Sequence, residues 1–281
     1  MSAALLEVRD LRIHFPFGHR WFGKREWVRA VDGVDLEVRR GEIFGLVGES
    51  GSGKTTLGRA VLRLVEASTG SIHFDGVDVR ALGGRELRSI RRRFQIVFQD
   101  PYRSLSPRMQ IQSLIAEPLR LHHIVPEDAI AARVLELLSL VGLEPYFRYR
   151  YPHEMSGGQR QRVAIARAMA MEPEFLVADE PVSALDVSVQ AQILNLLLEL
   201  QRRTGIAILF ITHDLAVVER IADQVAVMYQ GKIVERGDTE RVIDHPEHPY
   251  TQRLLAAARG TAAVGRRWPI THSHRPATSP P

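Results

Sequence analysis

Eight consecutive residues, Gly48-Glu49-Ser50-Gly51-Ser52-Gly53-Lys54-Thr55, constrain this chain more than any other feature. They fit the pattern G-x-x-x-x-G-K-[ST], and they follow a short apolar run, Glu42 to Val47 (EIFGLV), of strand length. The spacing predicts a helix over Lys54–Val65. Glycines at 48, 51 and 53 let the backbone curl until successive N–H groups and the helix N-terminus face one point, an arrangement suited to phosphate. Lys54 adds a point charge. The Thr55 hydroxyl is a hard oxygen ligand for Mg²⁺, and Thr56 continues the first helical turn beside the phosphates of a nucleotide such as ATP. Such a strand–loop–helix unit belongs to a parallel sheet covered by helices, so the expected fold class is α/β, a P-loop NTPase core.

The rest of the chain supports that class. Phe175–Ala178 (FLVA) and Ile206–Ile211 (IAILFI) are apolar on consecutive residues, as parallel strands buried on both faces must be, and Phe94–Phe98 (FQIVF) forms a further strand. Val28–Val38 alternates as a strand. Ser71–Val79 around Asp75-Gly76, and Val225–Tyr229 with Lys232–Glu235 around Gln230-Gly231, have the form of hairpins. Leu114–Leu121, Ala129–Val141 and Gln159–Met171 have helical apolar spacing, broken by Pro107, Pro126, Pro145 and Pro152, and Asp186–Arg203 forms another helix. Residues from about 100 to 170 are therefore expected to be an inserted α-helical subdomain.

Two carboxylates, Asp179 and Glu180, close the apolar run FLVA, where the carboxyl end of a strand places ligand chemistry in open α/β sheets. Asp179 is suited to hold Mg²⁺ through water, and Glu180 to polarise an attacking water as general base. A second phosphate cradle follows from Ser156-Gly157-Gly158-Gln159, which opens the basic helical stretch RQRVAIARAMA with a hydroxyl and bare N–H groups.

Met155-Ser156-Gly157-Gly158-Gln159 resembles the signature motif of the ABC superfamily, and about residues 5–240 resemble its ATP-binding domain, an α/β core with an antiparallel β subdomain and an inserted helical one. The resemblance implies ATP hydrolysis with Mg²⁺ in a dimer, in which Ser156, Gly157, Gly158 and Gln159 of one subunit cap ATP on the P-loop of the other. It further implies that Gln99 contacts Mg²⁺ or the attacking water, that Ser183-Ala184-Leu185-Asp186 crosses the dimer interface, and that His213 orders the catalytic water with Glu180. An aromatic ring normally stacks on adenine in this family, worth roughly 1–3 kcal/mol on the scale of base stacking. Phe15, which ends the strand-like VRDLRIHF, is the first candidate; Trp21, Phe22 and Trp27 lie in a basic insertion, and core packing is the other role open to Phe15.

The closer resemblance is to ATPase subunits of oligopeptide and dipeptide importers, carried by DPYRSLSPRMQ, ADEPVSALDVSVQAQILNLL, FITHDLAVVERIADQVAVMY and HPEHPYTQRLLAA. The first string resembles the F-type subunit. That implies transmembrane permease partners, a D-type ATPase paralogue completing a heterodimer, an extracytoplasmic binding protein acting indirectly, and a peripheral position on the cytoplasmic face of the inner membrane. Nickel, murein peptides and glycosides are alternative cargoes. The insertion Asp100–Pro118 is expected to form much of the surface that meets the permease, with Tyr102, Leu105 and Met109 as apolar anchors and Arg103 and Arg108 reaching polar rims or lipid headgroups, packing of the helical subdomain being the other role open to these residues. Residues 241–260 resemble the family's C-terminal extension, and 261–281, rich in Pro, Ser, Thr, His and Arg, are expected to be a disordered tail.

Composition narrows the alternatives. The 281 residues contain no cysteine, which excludes disulfides, thiolate zinc sites and the iron–sulfur cluster some relatives carry in this extension. No apolar run reaches the roughly 18–20 residues of a membrane span, and the start MSAALLEVRD lacks a signal pattern. The formal charge of +4 and the arginines at 85, 88, 91, 92 and 93 raise the question of nucleic acid. No aromatic-interleaved motif accompanies them, so no nucleic-acid partner is expected. A soluble ABC ATPase of DNA repair or the ribosome would need long coiled coils or a second cassette, and a dead binding protein would lack one of Lys54, Asp179, Glu180 or His213.

Overall fold

The computed structural model describes residues 4–17, 26–100 and 104–262; Trp21, Phe22, Tyr102, Arg103 and the tail from residue 263 lie outside them. Ten strands form two sheets. The first is antiparallel, in the order β2 (Glu26–Arg39), β1 (Ala4–Phe17), β4 (Thr69–Phe74), β5 (Val77–Asp78). The second runs β10 (Lys232–Asp238), β9 (Gln224–Tyr229), β3 (Ile43–Val47), β8 (Ala207–Thr212), β7 (Phe175–Asp179), β6 (Phe94–Val97), parallel except for the β9–β10 hairpin.

Every residue of β3, β7 and β8 is buried, which is why these runs are apolar without alternation. The pleat then divides them between two cores. Ile43, Leu176, Ala178, Ile208 and Phe210 face one side, together with α3 (Ile111–Leu121), α4 (Ile130–Leu140) and α5 (Gly157–Met169). Phe44, Leu46, Phe175, Val177, Leu209 and Ile211 face the other, packing with α1 (Lys54–Val61) and the antiparallel sheet. Among the described residues the other α-helices are α2 (Gly84–Arg93), α6 (Val187–Thr204), α7 (Leu215–Ile221), α8 (Thr239–Asp244) and α9 (Pro249–Ala262).

Both hairpin turns have paired positive φ angles, 52° and 77° at Asp75-Gly76 and 47° and 81° at Gln230-Gly231, as two-residue turns matched to strand twist require. Several boundaries differ from expectation. α1 ends at Val61 because Arg63 turns left-handed, with φ 50°, and its guanidinium donates to the carbonyls of Val79 and Leu82 at 3.0 and 2.7 Å. The arginine cluster lies on α2, which apolar periodicity misses because Ile90 is its one buried residue. Arg93 is not part of a free basic face; it pairs with Glu174 and Asp75, and these acids hold its guanidinium charged.

Leu105 is buried in the helical core and Met109 packs against it, so neither stands out as a surface anchor; the two residues complete the packing of α3 and α5 instead. α9 carries helix through the expected extension and includes Thr261 and Ala262. Among the described residues, no helix is long and apolar enough to cross a membrane.

Candidate nucleotide site

Parallel register sets the site. Val47 pairs with Thr212 and Asp179 with Ile211, so the carboxyl ends of β3, β7 and β8 lie side by side, and Gly48, Glu180 and His213 leave the sheet from one edge. The P-loop turns over between β3 and α1. At its end Gly53 has φ 107°, and a Cβ there would stand 2.1 Å from the Ala30 carbonyl oxygen, so only glycine lets this loop press against β2.

Lys54 is 4% exposed and folds back into the loop. Its Nζ donates to the carbonyls of Gly48 and Glu49 at 2.6 and 2.8 Å and to Ser52 Oγ at 3.3 Å. Burial pushes its pKa down, against the opposing pull of Glu180, Asp179 and Glu49. Thr55 Oγ1 donates to Asp179 Oδ1 at 2.9 Å, joining residues far apart in sequence. Asp179 is equally buried, and burial raises its pKa, while the Thr55 hydrogen bond, Arg59 and Lys54 oppose the rise. A half-buried hydroxyl and a buried carboxylate side by side are the hard oxygen donors Mg²⁺ prefers, and a cation there would offset the desolvation of Asp179, so these residues fit the metal.

Glu180 adopts φ 47°, a strained conformation for a non-glycine residue of the kind stored at functional sites. Its N–H donates to the Ile211 carbonyl at 2.9 Å, and its Oε1 lies 3.3 Å from His213 Nδ1. Gln99, in the loop after β6, lines the same cleft of about 700 Å³ as Glu49, Ser50, Gly51, Gly53, Lys54, Thr55, Thr56, Glu180 and His213. Arg29, Gln230 and Gly231 also line it, and no local sequence signal marks them, because β2 and the β9–β10 turn reach the cleft only through tertiary packing.

Phe15 pairs in register with Val28, a cleft-lining residue, and is 41% exposed. Core packing therefore does not account for its ring. Trp27 is exposed opposite Pro16.

Ser156 caps α5. Its backbone N–H donates to Gln159 Oε1 at 2.9 Å and its Oγ accepts from Gln159 N at 3.3 Å, a reciprocal box. A Cβ on Gly158 would stand 2.3 Å from Val189 Cγ1, and one on Gly157 3.1 Å from Leu185 Cδ2, so the two glycines let α5 approach α6 and the loop before it. Within that loop Ser183 Oγ donates to the Glu180 carbonyl at 3.2 Å, Gln190 Nε2 donates to the Leu185 carbonyl at 3.0 Å, and Asp186 precedes α6, with Ala184 between them. None of Ser156, Gly157, Gly158 or Gln159 is among the described residues lining the P-loop cleft, so the two glycine-opened helix starts are separate places on the chain.

A P-loop, a strand-end Asp-Glu pair, a histidine after the next strand and a glycine-opened helix, all on one parallel sheet, define an ATP-binding cassette. Residues 31–183 match the family model for ABC transporter, and the chain belongs to that family. It is an ABC ATPase domain. It is 54% identical over 255 residues to the glutathione import ATP-binding protein GsiA of Salmonella paratyphi A (strain ATCC 9150 / SARB42) and to that of Escherichia coli (strain K12), covering 90% of this chain and 41% of each relative. The chain thus spans less than half the length of these curated relatives. Among solved structures it is similar to a dimeric post-hydrolysis state of the ATP-binding cassette MJ0796 bound to ADP and Pi, with TM-score 0.74, 29% identity, and coverage of 83% of this chain and 98% of that one. It is also similar to cbiO1 from Clostridium perfringens, part of the ABC transporter complex cbiONQ, with TM-score 0.74, 30% identity, and coverage of 92% and 99%.

Proposed function

We propose that this chain is the ATP-hydrolysing motor of a peptide-class importer, working at the cytoplasmic face of the membrane as a peripheral partner of permease subunits. The observation that carries the reading is the meeting of the Thr55–Asp179 pair with the Glu180–His213 pair on one sheet edge beside Lys54. The similarity to proteins named for import of glutathione, a tripeptide, supports the peptide class.

Lys54 and the loop N–H groups bind the β- and γ-phosphates of ATP. Thr55 and Asp179, with Gln99 beside them, would hold Mg²⁺, which would supply charge neutralisation at the phosphates. Glu180 accepts a proton from the attacking water, and His213, 3.3 Å away, orients it. Phe15, on the face it shares with Val28, stacks on the base.

The signature residues Ser156–Gln159 lie apart from the chain's own P-loop, so they cap the ATP of a second subunit, with Ser183–Asp186 at the interface. That subunit is a D-type paralogue, and an extracytoplasmic binding protein delivers cargo. Residues 5–240 form the ATP-binding domain, with the helical subdomain at about 100–170, the extension at 241–260 and the tail beyond. Reconstitution tests the assignment. Permease with both ATPases should show peptide-stimulated hydrolysis, and Ser156→Arg in this chain should disable the site whose P-loop belongs to the paralogue. Full transport with this chain as a homodimer would refute the pairing; no ATP turnover in any assembly would refute the motor.

A further inference from the structure

We infer that Tyr250, at the start of α9, is a positioning residue of the nucleotide site, holding the P-loop peptide against which Lys54 is set. The Glu49 N–H donates to Tyr250 Oη at 2.9 Å. The carbonyl of the same peptide unit, that of Gly48, accepts from Lys54 Nζ at 2.6 Å. N–H and C=O point oppositely across a trans peptide, so this one unit is held from outside the loop by Tyr250 and from inside by Lys54. A rotation of the peptide that frees one group also withdraws the anchor of the other.

The hydroxyl is held where it must be. Tyr250 is 3% exposed, and its ring packs at a 32° tilt against Tyr229 with centroids 4.2 Å apart. The chain leading into α9 is pinned by the buried Glu235 carboxylate, which accepts from the N–H groups of Glu247 and His248 at 2.8 and 2.9 Å. His248 Nδ1 accepts in turn from Tyr250 N at 3.1 Å. Tyr229 leads straight into the β9–β10 turn, where Gly231 N donates to the Ser52 carbonyl at 3.0 Å. The packed tyrosine pair therefore joins two outside restraints on the P-loop, one at Glu49 and one at Ser52.

A phosphate cradle is worth most when its shape is set before the ligand arrives, because ordering it on binding is subtracted from affinity. The C-terminal extension is thus part of the site rather than an appendage. This inference rests on the reading of the P-loop as the ATP site.

Tyr250→Phe keeps the ring on Tyr229 and removes the acceptor. In the full chain it should weaken Mg·ATP binding about fivefold to thirtyfold, the scale of one hydrogen bond lost at a partly buried amide. KM should rise by more than kcat falls, Tm should stay near wild type, and the Glu49 amide should exchange hydrogen faster in the nucleotide-free protein. Tyr250→Phe with wild-type affinity, or with weaker binding alongside a lower Tm and unchanged exchange at Glu49, would overturn the inference. Lys54→Ala measured in parallel separates the two claims: if it too binds Mg·ATP normally, the site assignment itself fails.

Discussion

Glu180 Oε1 lies 3.3 Å from His213 Nδ1, and the contact is built by the sheet rather than by the side chains alone. The Glu180 N–H bonds the Ile211 carbonyl, so the residue after β7 is tied to β8 two residues before the histidine. Main chain thereby fixes the distance between the proposed base and the group that orients its water.

Glu180→Gln removes the proton acceptor while leaving the phosphate cradle whole. Hydrolysis should fall by about 10²–10⁴-fold with ATP binding retained. ATP should then hold the subunits as a closed dimer, visible by size exclusion; wild-type turnover would contradict the role.

Lys54→Ala acts on binding instead. In the proposed function the lysine's buried charge pairs with the phosphates, and truncating one member of such a pair costs about 2–5 kcal/mol. Equilibrium binding of Mg·ATP should weaken accordingly, and undiminished affinity would count against the P-loop assignment.

Asp179 links stability to pH. Burial raises its pKa above the unfolded carboxyl value of about 3.9, so between the two values the folded chain keeps a proton the unfolded chain has lost. Stability of the nucleotide-free protein contributed by this group therefore falls as pH rises through that window and stays lower above it. Asp179→Asn should raise Tm at neutral pH, with the gain shrinking toward about pH 4, while Mg²⁺-dependent hydrolysis is lost. A lower neutral-pH Tm in the variant would contradict this account.

Gly158 is a packing residue as well as part of a cradle. Alanine there puts a Cβ 2.3 Å from Val189 Cγ1, and overpacking of this kind costs about 1–3 kcal/mol. Gly158→Ala should lower Tm, and adding Val189→Ala should restore part of the loss. An additive double mutant would show that the contact is not the cause.

The elements that could be read without a structure are those whose physical cause is local. Gly48–Thr55 declares a strand–loop–helix because its glycines, lysine and threonine are contiguous, and β7 and β8 declare two-sided burial because every residue in them before the terminal Asp179 and Thr212 is apolar. Asp179 and Glu180 could be placed at a strand end for the same reason. α2 escaped because its arginines hide a single buried isoleucine, and Leu105 was misjudged because exposure belongs to the fold, not to the residue type.

By itself, the sequence determined the α/β class, the P-loop, the acidic strand end and the second, glycine-opened cradle, all specified by neighbours along the chain. Tertiary structure alone decided which of these meet. Asp179 reaches Thr55 because β7 runs parallel two positions from β3, with β8 between them. Phe15 stands exposed because β1 runs on past its pairing with β4, whose register ends at Arg12, and continues against β2 alone. The tie from Tyr250 to Glu49 spans 201 positions, and no local pattern can encode it, since it exists only once α9 has docked beside the loop.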